Sequence, residues 1–125
     1  MVCGIGVDVV NIQRMEQLTD YAKSRIFNPL ELAEAGTMAR EVQAEFLAGR
    51  FAAKEALGKA LGTGLAHFSL QDIWVERAKS GKPELHFSGK ALELMGMRTA
   101  MLSISHDHPV AIAMVILMGA GDGTI

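Results

Sequence analysis

The chain has 125 residues, half of them hydrophobic and only 21% charged, with a formal net charge of -2. That length holds one domain near the lower end for a free-standing enzyme, and the apolar share exceeds what one small core consumes, so self-association is expected. A net negative charge without a basic stripe argues against nucleic acid, the single Cys3 cannot close an internal disulfide, and no segment reads as a signal peptide or membrane span, which together predict a cytoplasmic protein.

In chain order, Val2 to Val10 is apolar and β-branched apart from glycines and Asp8. It reads as a buried strand ending in a carboxylate, with Cys3 as a small buried residue. Asn11 is placed to cap a helix running to about Leu18 or Tyr21, and Asn28-Pro29 resets the chain for a short helix around Leu30 to Ala35. A long helix follows over Arg40 to Leu61, with Val42, Phe46, Ala53, Leu57 and Ala60 inward and Gly62 to Gly64 ending it. Gly49 and Gly58 each cost that helix about 1 kcal/mol relative to Ala, which predicts close approach of another backbone or a ligand. Asp72 to Ala78 alternates as a strand, Ser80 to Pro83 is a turn, and Glu84 to Phe87 is the hairpin partner. Ser88 can cap a short helix to about Met95. Thr99 to Ser105 and Val110 to Met118 are strands joined by His106-Asp107-His108-Pro109. The order β, three helices, ββ, α, ββ predicts an α+β domain over residues 1–118, an antiparallel sheet packed on the long helix, with a mobile tail over 119–125.

Asp8 is the anomaly, because a carboxylate at the end of a buried strand is expensive unless it is paired, hydrogen-bonded or metal-bound. It can cap the following helix, pair with Arg14, or hold a metal. In the long helix Arg50 and Lys54 stand four residues apart and repel by a few tenths of a kcal/mol, roughly, a cost that an anion lying over both would reverse. Glu55 sits about 100° around the helix from Lys54, and Lys59 is one turn further on. Glu55 and Lys59 also have the order of a plain solvated ion pair. Two carboxylates from different elements, Asp8 and Glu55, suit Mg²⁺, which keeps several waters and accepts substrate phosphate. The Gly62-Thr63-Gly64 amides can approach a pyrophosphate without a side chain in the way. His106-Asp107-His108 lacks the further ligands a zinc site needs, and Asp107 and His108 read as a polar turn.

Gly4-Ile5-Gly6-Val7-Asp8 with Arg14, Arg25-Ile26-Phe27, Glu31-Leu32, the block from Glu45 to Gly64, Asp72-Ile73, Gly81-Lys82-Pro83, and Ser103-Ile104-Ser105-His106 followed by Ala111 and Ala113 occur in one order along the chain. On these residues it resembles the holo-acyl-carrier-protein synthase family, the small 4'-phosphopantetheinyl transferases. The run from Arg50 to Ala56 is the most specific part, and only the tail after Met118 lies outside the resemblance.

The resemblance implies transfer of 4'-phosphopantetheine from coenzyme A to a serine of apo-acyl carrier protein, for fatty acid biosynthesis, with release of adenosine 3',5'-bisphosphate. It implies Mg²⁺ on Asp8 and Glu55, Lys59 near the bridging or leaving oxygen, and Arg50 and Lys54 on further phosphate oxygens. Gly62, Thr63 and Gly64 would line the pyrophosphate, and Ser105 and His106 the adenosine 3'-phosphate or adenine. Arg14, Lys23 and Arg25 would dock the acidic carrier, diluted by Glu16 and Asp20. The base for the serine stays open between Glu55, a metal-bound water and a carboxylate of the carrier. A homotrimer with sites in the clefts between subunits is implied as well. Two other readings keep parts of this site: a metal-dependent phosphodiesterase or nuclease on Asp8, Glu55 and Lys54, and a coenzyme A or carrier-binding module without turnover.

Overall fold

The computed structural model describes residues 1–119. The chain runs β1 (Val2–Asn11), α1 (Ile12–Glu16), α2 (Asp20–Ile26), α3 (Pro29–Ala35), α4 (Arg40–Leu61), β2 (Ile73–Arg77), β3 (Pro83–Phe87), α5 (Gly89–Met95), β4 (Thr99–Asp107) and β5 (Val110–Met118). The strands form an antiparallel sheet in the order β1-β5-β4 and a separate β2-β3 hairpin. The expected α+β class holds, with α4 laid against the three-stranded sheet. No helix among the described residues is long and apolar enough to cross a membrane.

Local chemistry accounts for the element boundaries. Asn11 caps α1 by accepting from the Gln13 amide at 2.9 Å, and Asn28 and Glu31 form a reciprocal capping box around Pro29 at the head of α3. The expected single helix after Asn11 is instead two. α1 stops at Glu16, and the Thr19 hydroxyl accepts from the Ala22 amide at 3.1 Å to start α2, so four helices rather than three precede β2. Ser88 stands before α5, but its hydroxyl donates to Asp72 Oδ1 at 3.2 Å and does not cap the helix. The expected tail lies outside the described residues except for Gly119, whose amide donates to Met1 O at 2.9 Å.

β1 is covered on one face only. Gly6 and Val10 are buried against the helix and Asp8 is half-buried beside them, while Cys3, Ile5, Val7 and Val9 on the opposite face are exposed. This corrects the reading of β1 as buried throughout and of Cys3 as a core residue: every second side chain has no layer above it. Val42, expected inward on α4, is also exposed, because it stands in the first turn of the helix on the wall of an open pocket. The glycines of β1 make the covered face possible. A Cβ on Gly6 would stand 2.0 Å from the Ala56 carbonyl oxygen, and one on Gly4 2.3 Å from that of Ala60, so the strand backbone rests directly on the C-terminal half of α4. The N-terminal half of α4 meets the far edge of the sheet, where Gly49 faces the Ile104 side chain of β4. Gly58 admits the backbone of Gly64, the close approach its position predicts.

Lys54 is fully buried, at 0% exposure. Its ammonium donates to Glu31 Oε1 at 2.7 Å, Ile73 O at 2.6 Å, Ile26 O at 3.0 Å and Leu70 O at 3.1 Å. Glu31 in turn accepts from the Asn28 amide through Oε1 and from the Val75 amide through Oε2, both at 3.1 Å. Burial pulls the Lys54 pKa down, and Glu31 opposes that shift by charge and by its hydrogen bond. The expectation that Lys54 holds a phosphate is therefore corrected: its protons are spent inside the molecule, on the ends of α2 and α3 and the start of β2. Replacing Lys54 by Met strands a buried carboxylate and three carbonyls, and should lower unfolding stability by about 3–5 kcal/mol in urea titrations. A variant as stable as the parent would show that this pair does not hold the helices together.

Candidate active site

The direct contact of β1 with α4 brings Asp8 beside Glu55 and Lys59. Lys59 Nζ donates to Asp8 Oδ1 at 3.0 Å and to Val7 O at 3.1 Å. Of the alternatives for Asp8, capping falls to Asn11 and the ion pair is with Lys59 rather than Arg14. Burial raises the Glu55 pKa, the nearby Asp8 charge raises it further, and Lys59 and Arg14 oppose the shift. Two carboxylates thus face one region in which both cannot ionise freely. Among the described residues no group of three or more His, Cys, Asp or Glu side chains is placed to hold a metal. A cation held by Asp8 and Glu55 must complete its shell with water and substrate oxygens, and that donor set fits Mg²⁺. Arg14 flanks the pair, its guanidinium 5.6 Å from the Phe51 ring centre. Lys23 and Arg25 occupy the last turn of α2.

A second polar cluster lies along the N-terminal half of α4, up to its middle. Arg50 is only 3% exposed, yet its Nε and Nη2 have no hydrogen-bond partner among the described residues. Its guanidinium stacks 3.9 Å from the centre of the Phe46 ring and opens on a pocket of about 370 Å³, also lined by Glu45, Gly49, Arg77, Ile104 and His106. Burial lowers the Arg50 pKa. A buried guanidinium with idle donors calls for an anion. His106 Nδ1 lies 3.9 Å from Glu45 Oε2 on the pocket wall. Ser105 does not join it, because successive strand residues alternate and Ser105 falls on the outer sheet face; this corrects its pairing with His106 in one site. Arg77 is a pocket residue that the sequence reading missed, since only the tertiary fold brings the end of β2 over the start of α4.

The Gly62-Thr63-Gly64 turn is corrected in part. Gly62 takes the left-handed conformation that ends α4, with φ of 78°, and its amide donates to Lys59 O at 3.1 Å. The Gly64 amide donates to Gly58 O, also at 3.1 Å. Both amides are committed to closing the helix and are not free for pyrophosphate; Thr63 is exposed between them.

The two clusters stand at opposite edges of the sheet, the acidic pair by β1 and the cationic pocket by β4, with β5 between. A strand spacing of about 4.8 Å puts those edges roughly 10 Å apart, with α4 lying between the clusters. Because its folded-state pKa is raised, Glu55 favours the fold only at pH values where it is protonated and loses that contribution as pH rises through the raised value. Glu55→Gln should therefore stabilise the chain in chelator-treated urea titrations at pH 7, and the gain should vanish below the ordinary carboxylate pKa of about 4.3. A destabilised variant, or a gain independent of pH, would remove the electrostatic reading of this pair.

Residues 4–113 match the profile of the 4'-phosphopantetheinyl transferase superfamily. The chain is 43% identical over 128 residues to a holo-[acyl-carrier-protein] synthase of Geobacillus kaustophilus, covering 99% of this chain and 95% of that protein. It is similar to the crystal structure of a holo-(acyl-carrier-protein) synthase from Bacillus anthracis in complex with CoA (3',5'-ADP), with TM-score 0.82, 39% identity, and coverage of 94% of this chain and 96% of that one. The corresponding synthase from Neisseria meningitidis gives TM-score 0.83 at 34% identity, covering 95% of this chain and 100% of that one. Since sequence and fold agree over almost the whole length in both directions, the chain belongs to the 4'-phosphopantetheinyl transferase superfamily, among its holo-acyl-carrier-protein synthases.

Proposed function

We propose that this chain is a Mg²⁺-dependent, homotrimeric, cytoplasmic enzyme that transfers 4'-phosphopantetheine from coenzyme A to a serine of apo-acyl carrier protein for fatty acid biosynthesis, releasing adenosine 3',5'-bisphosphate. The observation that carries the reading is the acid cluster itself: two carboxylates and a lysine converge where β1 crosses α4. Asp8 and Glu55 would hold Mg²⁺, which when bound grips the pyrophosphate and offsets charge building on the leaving phosphate. Lys59, on the exposed side of Asp8, supplies a second positive charge to the leaving oxygen. Arg50 and His106 take the remaining phosphate of the donor in the pocket at β4. Arg14, Lys23 and Arg25 present cations to the acidic carrier from α1 and α2. The nuclease alternative used Lys54 as a phosphate ligand, and its burial removes that support.

Two features support a shared site. The outer sheet face carries Ile5, Val7 and Val9, exposed by 63%, 52% and 56%, next to Ile112, Met114 and Met101 on β5 and β4. An apolar patch of this kind marks an interface rather than a solvent face. The acid and cation clusters also face opposite edges of the sheet, an arrangement in which the cation pocket of one subunit would meet the acid cluster of the next.

Mass spectrometry of apo-acyl carrier protein incubated with coenzyme A, Mg²⁺ and the chain should show addition of one phosphopantetheine group, and Asp8→Ala should abolish it. Failure of the parent chain under these conditions would end the proposal. For assembly, light scattering should give a mass near three chains, and co-expressed Asp8→Ala and Arg50→Ala chains should regain transfer that neither has alone, because some interfaces combine two intact halves. Mixed assemblies as inactive as their parents would place the whole site in one subunit.

A further inference from the structure

Coenzyme A carries two kinds of phosphate, the pyrophosphate where the bond breaks and an isolated monoester on the ribose 3' oxygen. The first belongs with Asp8, Glu55 and Lys59 at the reacting centre. The second is then the group left for the pocket around Arg50, and near neutral pH it bears a charge of about -1.5 to -2. One guanidinium does not balance that. Arg50 is fixed in orientation by its stack on Phe46, with Nε and Nη2 buried and unpartnered. Its neighbouring carboxylates are occupied or remote: Glu31 is bound to Lys54 and the Val75 amide, and Glu34 acts on Arg50 through charge alone. Glu45, the one carboxylate lining the pocket, lies against His106.

Arg77 enters the same pocket from the end of β2. Its internal tether is a single contact of Nη1 with Gly81 O at 3.4 Å, longer than a well-formed hydrogen bond, so most of its donors are uncommitted. Two guanidinium groups line one cavity, and the Arg77 charge adds to the cost that burial already sets on the charge of Arg50. That arrangement becomes favourable when a dianion sits between them.

We propose that Arg77 is a specificity residue for the donor: with Arg50 and His106 it clamps the 3'-phosphate monoester, so that the enzyme distinguishes coenzyme A from 3'-dephospho-coenzyme A. This rests on the phosphopantetheine-transfer reading above, and it adds a residue to the site and assigns it one phosphate. Calorimetric titration of the full chain with adenosine 3',5'-bisphosphate and with adenosine 5'-monophosphate isolates the 3' group. Arg77→Met should weaken the bisphosphate roughly 10- to 100-fold and leave the monophosphate unchanged, with partial recovery in Arg77→Lys, which keeps the charge and loses the fork. Equal weakening of both nucleotides, no weakening of the bisphosphate, or no bisphosphate binding by the parent chain overturns the assignment. In transfer assays the KM advantage of coenzyme A over its 3'-dephospho form should narrow in Arg77→Met while kcat is retained. A parent chain that binds the bisphosphate through Arg77 but never transfers would leave the assignment and remove the enzyme; one that transfers while Arg77→Met keeps full discrimination would do the reverse.

Discussion

The ammonium of Lys54 is the constraint on which the rest of this structure is arranged. It lies wholly inside the protein and ties the end of α2, the first turn of α3, the segment before β2 and β2 itself to the middle of α4. Removing such a charge from water costs several kcal/mol, and what offsets that here is complete hydrogen bonding, by one carboxylate and three carbonyls. The carboxylate is no passive counter-ion. Glu31 also closes the capping box of α3 and receives the Val75 amide, so one buried pair terminates a helix and registers a strand at once. With one flank of α4 anchored this way, its rotation about its own axis is set, and Glu55 and Lys59 are presented to β1.

That presentation needs an unusually short distance between strand and helix. Backbone-on-backbone contact at Gly4 and Gly6 places the Asp8 side chain level with the last turns of α4, where it meets Lys59. The site's electrostatics then follow from proximity in a half-buried setting: Lys59 neutralises Asp8, and Glu55 is left with an elevated proton affinity. Nearer the middle of the same helix, Arg50 is buried with donors to spare. α4 thus turns Glu55 and Lys59 toward Asp8 at one sheet edge and the Arg50 guanidinium toward the pocket at the other. Carboxylates on one side and uncommitted guanidinium donors on the other have the chemistry to receive a cation and a phosphate respectively.

Much of this was legible in the sequence because it is locally encoded. The limits of α4, the caps at Asn11 and Asn28, the β2-β3 hairpin and the final strand pair all rest on contacts within a few residues. Asp8 stands out because a carboxylate in an apolar strand is chemically awkward, while Glu55 and Lys59, which also suit a plain solvated pair, stand out through the resemblance carried by their block. Thr19 was overlooked because it lies inside a stretch that can also be read as one continuous helix, and only its hydroxyl bond to Ala22 breaks the run. The errors at Lys54 and Ser105 have another origin. Spacing along one element puts Arg50 and Lys54 on a shared face, but what covers that face changes along its length: Glu31 and distant carbonyls over Lys54, an open pocket over Arg50. Ile5, Val7 and Val9 read as core in the sequence and are exposed in the fold, because hydropathy reports that a face wants covering, not which molecule covers it.

The contact between β1 and α4 also bears on how such a chain can change over generations. Every replacement that changes a glycine to another residue introduces a Cβ, and at Gly4 and Gly6 that atom would lie within 2.3 Å of a helix carbonyl oxygen. These two positions have no neutral neighbours in sequence space. Drift along β1 is channelled to its other face, where Ile5, Val7 and Val9 can exchange among apolar residues without moving the backbone. The segment preceding Asp8 is thus open to apolar exchange on one side and frozen on the other, residue by alternate residue.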